Sequence, residues 1–470
     1  MAKITVLGAG PAGLAAACEL AQRGDEVTLI ERNATVGGNA GSFLFGGINV
    51  DYGSHRLHPA SDPEVLGKIK ELLGDDLLTR PRHGRIHLLG RWIHFPLRPT
   101  DILFKGNPRF TLGVMADLIK KIIPAKKTDG AENFATVLSS GLGKTICNEF
   151  YFPYARKIWG LDPQELSAAQ AYKRISAGTI GKMIKRLMPW NKRSGGANTK
   201  GIFHYPKHGF GQICEAYLAA AERAGVKVMC SSDIQSITLS ESNQQVVLKN
   251  AGKEFEIHSD QIFSTIPLTT LSQLVQIDTP DEVVKASEKL EFRSMVLVYI
   301  ELAQNQFTEY DAHYFPGANI PFTRISEPKN YSASSQTDST VLCAEVPCFY
   351  ADKIWQSSDT ELSTMVIDGL AQVGLPVTAE LLQVTTKKLR FAYPLYKDGY
   401  EELFETIDDW IESLEGVLTF GRQGLYAHDN THHAIFMALK AVDCLDSDGQ
   451  FNNEKWIAAR DIFKTHVVED

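Results

Sequence analysis

The chain has 470 residues, 44% of them hydrophobic, and a formal net charge of −8. It is long enough to bury a large core in two or three domains, and its acidity argues against nucleic acid as the main partner, because phosphate binding needs a basic footprint. Seven scattered cysteines, odd in number and without a C-x-x-C pair, fit free thiols in a reducing cytoplasm and no zinc site.

In chain order, the β-branched run at 4–7 predicts a buried strand, and 14–22, rich in Ala and Leu, predicts a helix. Between them Gly8, Gly10 and Gly13 stand in G-x-G-x-x-G spacing. Gly8 serves the tight turn, Gly10 the close approach of a pyrophosphate, and Gly13 the packing of helix on strand. With Pro11 and Ala12, the helix start offers free N–H groups and partial positive charge to phosphates. A second strand at 26–30 ends at Glu31, whose carboxylate is placed to accept from both hydroxyls of a ribose. Arg32 follows, then Gly37, Gly38 and Asn39, where glycines let backbone lie against the flavin side of a cofactor. FAD is favoured over NAD on that ground.

Further on, Gly53-Ser54-His55-Arg56-Leu57-His58 places two histidines after a glycine that allows close backbone approach. His55 and His58 are candidates for proton handling, or are loop histidines bonded to backbone. Helices are expected over 102–126 and 133–187, and a surface loop over 191–200. The basic, apolar and Trp-containing stretch 182–190 reads as a solvated helix face or as a helix lying on an anionic membrane. A helix is expected at 211–224, strands at 226–229 and 261–266, and a small antiparallel meander at 234–239, 245–249 and 254–259. Strands at 295–301, 341–346 and 382–391 suggest a second, mainly antiparallel sheet, and Cys343 and Cys348 read as small apolar residues of one of them.

Arg324 and Lys329 place two cations in an expected turn, where an Arg fork suits a carboxylate or phosphate. Tyr393, Tyr396 and Tyr400 cluster with Arg390 and Lys397 as a candidate substrate clamp, or as core-to-rim packing. A short strand at 417–420 precedes a last helix, with Ala434, Ile435, Ala438, Leu439 and Val442 on one apolar face and Asn430 or Thr431 as its cap. His432 and His433 are adjacent and diverge on a helix, so they do not share an ion, and no metal site is expected. No uncharged run reaches the roughly 20 residues a spanning helix needs. The N-terminus lacks a basic leader and cleavage site. The protein is expected to be cytoplasmic, at most peripherally attached to a membrane.

The glycine loop, the Gly37-Gly38 pair, Asp51-Tyr52-Gly53-Ser54-His55, the stretch 263–267 and the Gly421-Arg422 block together resemble the flavin-containing amine oxidase superfamily, which includes protoporphyrinogen oxidases and UDP-galactopyranose mutases. The likeness runs in motif order over nearly the whole chain. It implies FAD, with Ser54, His55, Ile234 and Thr265 beside it, Gly421 and Arg422 against the pyrophosphate, and the 430–431 helix start aimed at the ring. The 53–58 stretch and Tyr393-Pro394 with Gly399-Tyr400 are similar to the mutases, whereas Trp159-Gly160 with 163–167 and 173–175 is similar to the protoporphyrinogen oxidases. Many amine oxidases carry a lysine on a central strand; the matching stretch 293–299 has none, which argues against classical amine oxidation.

The expected fold is therefore α/β. A Rossmann-like, glutathione-reductase-like FAD-binding domain is drawn from 1–90, 201–290 and 405–470. A discontinuous α+β substrate domain, helical in part with an antiparallel sheet, is drawn from 91–200 and 291–404. The expected function is an FAD-dependent oxidoreductase on a small molecule held by Arg324, Tyr393 and Tyr400. The alternatives are a mutase-like enzyme acting on a nucleotide sugar with reduced flavin, and a non-catalytic binding protein.

Overall fold

Two large sheets organise the chain in this computed structural model, which describes all residues except 96–100, 102–104, 123–131, 175–200, 242, 333–336, 447–448 and 469–470. The first is five-stranded and wholly parallel. Its order is Val417–Thr419, Gln261–Ser264, β1 (Lys3–Leu7), β2 (Glu26–Ile30) and Lys227–Met229. Val6 sits between Phe263 and Leu29 in register. The three central strands are largely buried and read as apolar runs, as parallel sheets require, whereas the edge strand Lys227–Met229 is partly exposed.

Helix α1 (Pro11–Gln22) covers one face, with Pro11 in its first turn and a nearly continuous buried run from Ala12 to Cys18. Such small side chains let it pack closely on the closing helix Thr431–Asp443 and on Gln212–Arg223. The expected meander is present as Ser232–Thr238, Gln244–Asn250 and Lys253–Ser259.

The second sheet has seven strands, in the order Leu381–Pro394, Phe292–Leu302, Thr340–Cys348, Arg324–Ser326, Ala312–Tyr314, Gly84–Leu88 and Arg91–Phe95. All neighbours are antiparallel except Ala312–Tyr314 against Gly84–Leu88. Thr340–Cys348 is buried throughout, and Cys343 and Cys348 are free thiols within it. Arg324 stands at the start of a strand, not in the turn expected for it, because Arg324–Ser326 pairs with both flanking strands.

The stretch expected to be helical over 133–187 is built of several helices as far as it is described: Phe134–Leu142 ends at Gly143, Phe152–Trp159 ends at Gly160, and Ala168–Arg174 follows, while 175–187 lie outside the described residues. Both glycines take positive φ, 93° and 72°. A Cβ at Gly160 would lie 2.6 Å from the Phe349 ring, so the stop also lets this region approach the seven-stranded sheet. The expected helix over 102–126 is described as Pro108–Ile122. The stretches 182–190 and 191–200 lie outside the described residues. The helix expected to be last is followed by another, Asn453–Lys464. Among the described residues no helix is long and apolar enough to cross a membrane.

Candidate active site

The carboxyl ends of β1, β2 and Gln261–Ser264 open into one cleft of about 430 Å³, the location that open α/β sheets use for ligands. Gly8, Gly10, Pro11 and Ala12 line it. Gly8 turns the chain at φ 93°, and a Cβ on Gly13 would fall 1.8 Å from the Gly8 carbonyl oxygen, so helix and strand meet without room for a side chain. Gly10 differs: its nearest neighbour would be the Gly38 Cα at 3.9 Å, which leaves the cleft side open. Gly38 and Asn39 line the same cleft, while Gly37, at φ 113°, turns the chain into them.

Glu31 is buried at the end of β2. Its carboxylate accepts from the Ala9 N–H at 2.8 Å and from the Asn33 N–H and side-chain amide at 2.9 and 2.6 Å. A carboxylate has about four lone-pair sites, so about one remains, and Glu31 and Arg32 both line the cleft. Ile234 and Thr265 line it too, and the Thr265 hydroxyl donates to the Leu7 carbonyl at 2.8 Å.

The opposite wall comes from the turn 53–56 and the seven-stranded sheet. Ser54, His55, Arg56 and Arg324 line the cleft. Glu345, buried in the middle of Thr340–Cys348, ties them together: one oxygen accepts from the Ser54 N–H and from Arg324 Nε, both at 2.8 Å. Arg324 also donates to the Ser54 carbonyl at 3.2 Å. Arg56 pairs with Asp311 at 3.1 Å and donates to the hydroxyls of Tyr314 and Tyr331. His55 stacks on Phe210 at 5.0 Å. Burial, with Arg324 and Arg422 nearby, lowers its pKa to about 3. A ring held neutral in this way can donate one hydrogen bond and accept another at the cleft.

The third wall is the 421–431 block. Gly421, at φ 80°, brings the backbone against α1, since a Cβ there would meet that of Ala12 at 2.9 Å. Arg422 donates to the carbonyls of Asp429 and Ala392 at 2.8 and 2.9 Å. Gln423 donates to the Phe391 carbonyl at 2.7 Å, while its own Oε1 is buried without a hydrogen-bond partner. Asn430 caps Thr431–Asp443, its N–H donating to His433 Nδ1 at 3.3 Å, and Asn430, Thr431 and Ala434 face the cleft.

Below that cap lies a cluster invisible in the sequence. Asp429, His433 and His466 bring ligand atoms within 4.8 Å of one another, the geometry of a possible cation site. Here the ring nitrogens are engaged: His466 Nδ1 bonds Asp429 at 2.9 Å, and Lys173 stands 3.7 Å from the same carboxylate. The positive charge beside Asp429 is thus supplied by the chain.

Some expected residues lie elsewhere. His58 is not part of the cleft lining; its Nδ1 accepts from the Ala60 N–H at 3.1 Å, as a loop histidine does. Tyr400 stacks on Tyr396 at 4.2 Å and packs near Tyr426, in the core rather than at a clamp. Tyr393 stands behind the wall, between Trp159 and His428, under the Arg422 guanidinium at 5.2 Å. Glu345, Asp311 and Gln423 were missed. The one available signal was a lone carboxylate inside the apolar run Leu342–Val346.

Comparison with known proteins agrees with this geometry. Residues 11–426 match the family described as flavin containing amine oxidoreductase. A protoporphyrinogen oxidase 2 of Arabidopsis thaliana, chloroplastic/mitochondrial, is 40% identical over 95% of this chain and 94% of its own. The mitochondrial protoporphyrinogen oxidase of Nicotiana tabacum is 26% identical over 41% of each. Among solved structures, a reduced UDP-galactopyranose mutase superposes with a TM-score of 0.79 at 21% identity, over 94% of this chain and 93% of that one. A candidate protoporphyrinogen oxidase from an Exiguobacterium species gives 0.73 at 18%, over 94% and 98%.

Proposed function

Because the chain belongs to the flavin containing amine oxidoreductase family, a class of FAD-dependent oxidoreductases, we propose that it oxidises a porphyrinogen-like small molecule in the cleft between its two sheets. One observation carries the reading: the glycine turn, the Glu31 carboxylate, the 421–431 block and the 53–56 turn with Arg324 all line a single cavity. The residues present suit FAD. Gly10 leaves space where a diphosphate would need it, and the buried, unpartnered Gln423 Oε1 offers an acceptor.

In this reading Gly8–Gly13 and the α1 N-terminus hold the diphosphate, Glu31 the ribose, and Gly421 and Arg422 the backbone side of the cofactor. The parallel sheet and its helices act as the cofactor unit; the seven-stranded sheet and helical region act as the substrate unit. When bound, FAD supplies a two-electron acceptor. The N-terminus of Thr431–Asp443 favours negative charge nearby. Neutral His55 orients a donor group beside it, and Arg324, fixed by Glu345, receives an anionic group of the substrate.

Anaerobic mixing tests the proposal: protoporphyrinogen IX should bleach the flavin absorbance within a turnover. The second reading, mutase-like action on a nucleotide sugar, is favoured by the histidine turn at the cleft. It predicts instead that UDP-galactopyranose binds only after dithionite reduction and leaves the flavin reduced. A protein that stays colourless with added FAD rejects both.

A further inference from the structure

The cations of the cleft fall into two groups. Arg56 and Arg324 are matched by Asp311 and Glu345, and Arg422 is spent on two carbonyls. Arg32, Lys387, Lys388 and Arg390 are not matched in this way. Each is described and lines the cleft, and none has a carboxylate within ion-pair distance among the described residues. Three of them face rings instead. Lys387 Nζ stands 4.6 Å from the Tyr52 ring, Arg390 lies between the Tyr350 ring at 4.5 Å and the Phe391 ring at 5.2 Å, and Arg32 lies 5.9 Å over Phe391. The acids of the lining are already engaged: Glu31 by Ala9 and Asn33, Asp233 by Gln235, and Asp429 by His466 and Lys173. Glu31 and Asp233 keep their charge against neutral donors, yet the cations of the lining outnumber its acids, so a chain of net charge −8 carries a positive margin at this cleft.

Rings hold these cations in place without cancelling their charge, and a cleft lined by one sign focuses field lines on an arriving ion. We propose that Lys387 and Arg390 form a cationic collar that captures a multiply charged anionic substrate and seats its carboxylate or phosphate groups at the cleft margin. The proposal rests on the functional reading above, which it deepens: it names charge, supplied by the strand Leu381–Pro394, as the selecting property. An uncharged amine or hydrocarbon is thereby disfavoured.

The test uses the FAD-loaded protein. Inorganic pyrophosphate, titrated against the flavin absorbance at low salt, reports capture by charge whatever the substrate is. Protoporphyrin IX and its dimethyl ester, compared in the same assay, report whether carboxylates decide binding of a porphyrin. The double variant Lys387→Glu/Arg390→Glu should weaken pyrophosphate and protoporphyrin IX binding by about tenfold or more. It should leave the ester unchanged, keep its FAD, and lose the salt dependence of binding. Lys387→Arg should bind as the parent does. Unchanged pyrophosphate affinity in the double variant, equal loss for acid and ester, or loss of FAD would each overturn the collar. If pyrophosphate behaves as expected while neither porphyrin binds the parent protein, the collar stands and the porphyrinogen reading fails.

Discussion

Two glycines three residues apart, Gly10 and Gly13, show how different a single Cβ can be. At Gly13 it would meet the Gly8 carbonyl oxygen at 1.8 Å, a backbone atom that cannot give way. At Gly10 it meets nothing nearer than 3.9 Å within the protein. Gly13→Ala is therefore expected to disturb the β1–α1 packing and yield protein that is insoluble or melts many degrees lower. Gly10→Val is expected to fold with a melting temperature near that of the parent, yet purify without flavin, because its methyls occupy cleft volume. Absorbance at the flavin band together with circular dichroism separates the two outcomes; a yellow Gly10→Val protein would reject the diphosphate assignment. These positions were legible because glycine spacing is local. The Glu345 contact to Ser54 was not: the partners are 291 residues apart, and no local pattern reports such a pairing. The tyrosines fail for the opposite reason. Tyr396 and Tyr400 are four residues apart in sequence and stacked in space, but their ring stack faces the core, and a sequence shows proximity without direction.

At the scale of elements, helix ends carry the argument. Thr431–Asp443 was readable from its apolar face and its cap, and it stands where that reading expects, with its N-terminus on the cleft. The helical stretch expected over 133–187 is divided at Gly143 and Gly160, whose positive φ of 93° and 72° apolar periodicity does not encode. At Gly160 the cause is tertiary, since Phe349 and Arg293 fill the space a side chain would need. The closing helix also makes a prediction with two opposite signs. Thr431→Asp adds an acid to a first turn that now has none, which should raise the melting temperature slightly. The same charge faces the bound flavin and disfavours its reduced, more negative form. An interaction of a few tenths to about 1 kcal/mol converts to a fall in two-electron potential of roughly 10–20 mV. Xanthine oxidase-coupled reductive titration against a reference dye reads it. A potential that rises, or does not move while the helix is stabilised, would show that the helix start does not address the ring.

For the whole molecule, acidity is the clearest lever. Burial lowers His55, His313 and His433 to about 3, with Arg324 and Arg422, Arg85, and His432 adding to it in turn. In the unfolded chain each titrates near 6.5. As pH falls below that value the unfolded state takes up protons that the native state refuses, so stability declines through the window from about 6.5 to 3. Asp51 and Asp408 oppose this: burial raises both to about 6, so between about 6 and 3.8 the native state keeps protons that the unfolded chain has lost. Three histidines held neutral by burial stand against two aspartates held protonated, and the balance is destabilising in acid. Net charge argues the other way. The sequence pI is about 5.9, so approach to it from neutrality relieves self-repulsion and, alone, would raise stability. Melting temperatures at pH 7.5, 6.5 and 5.5 at fixed ionic strength distinguish the two causes. The buried histidines predict a fall over that range that persists at high salt, where repulsion is screened. A melting temperature that climbs toward the isoelectric point would mean that surface charge dominates. The three histidines stand on the cleft turn, on the seven-stranded sheet and on the closing helix, so the decline should remove both sheets and the flavin in one transition.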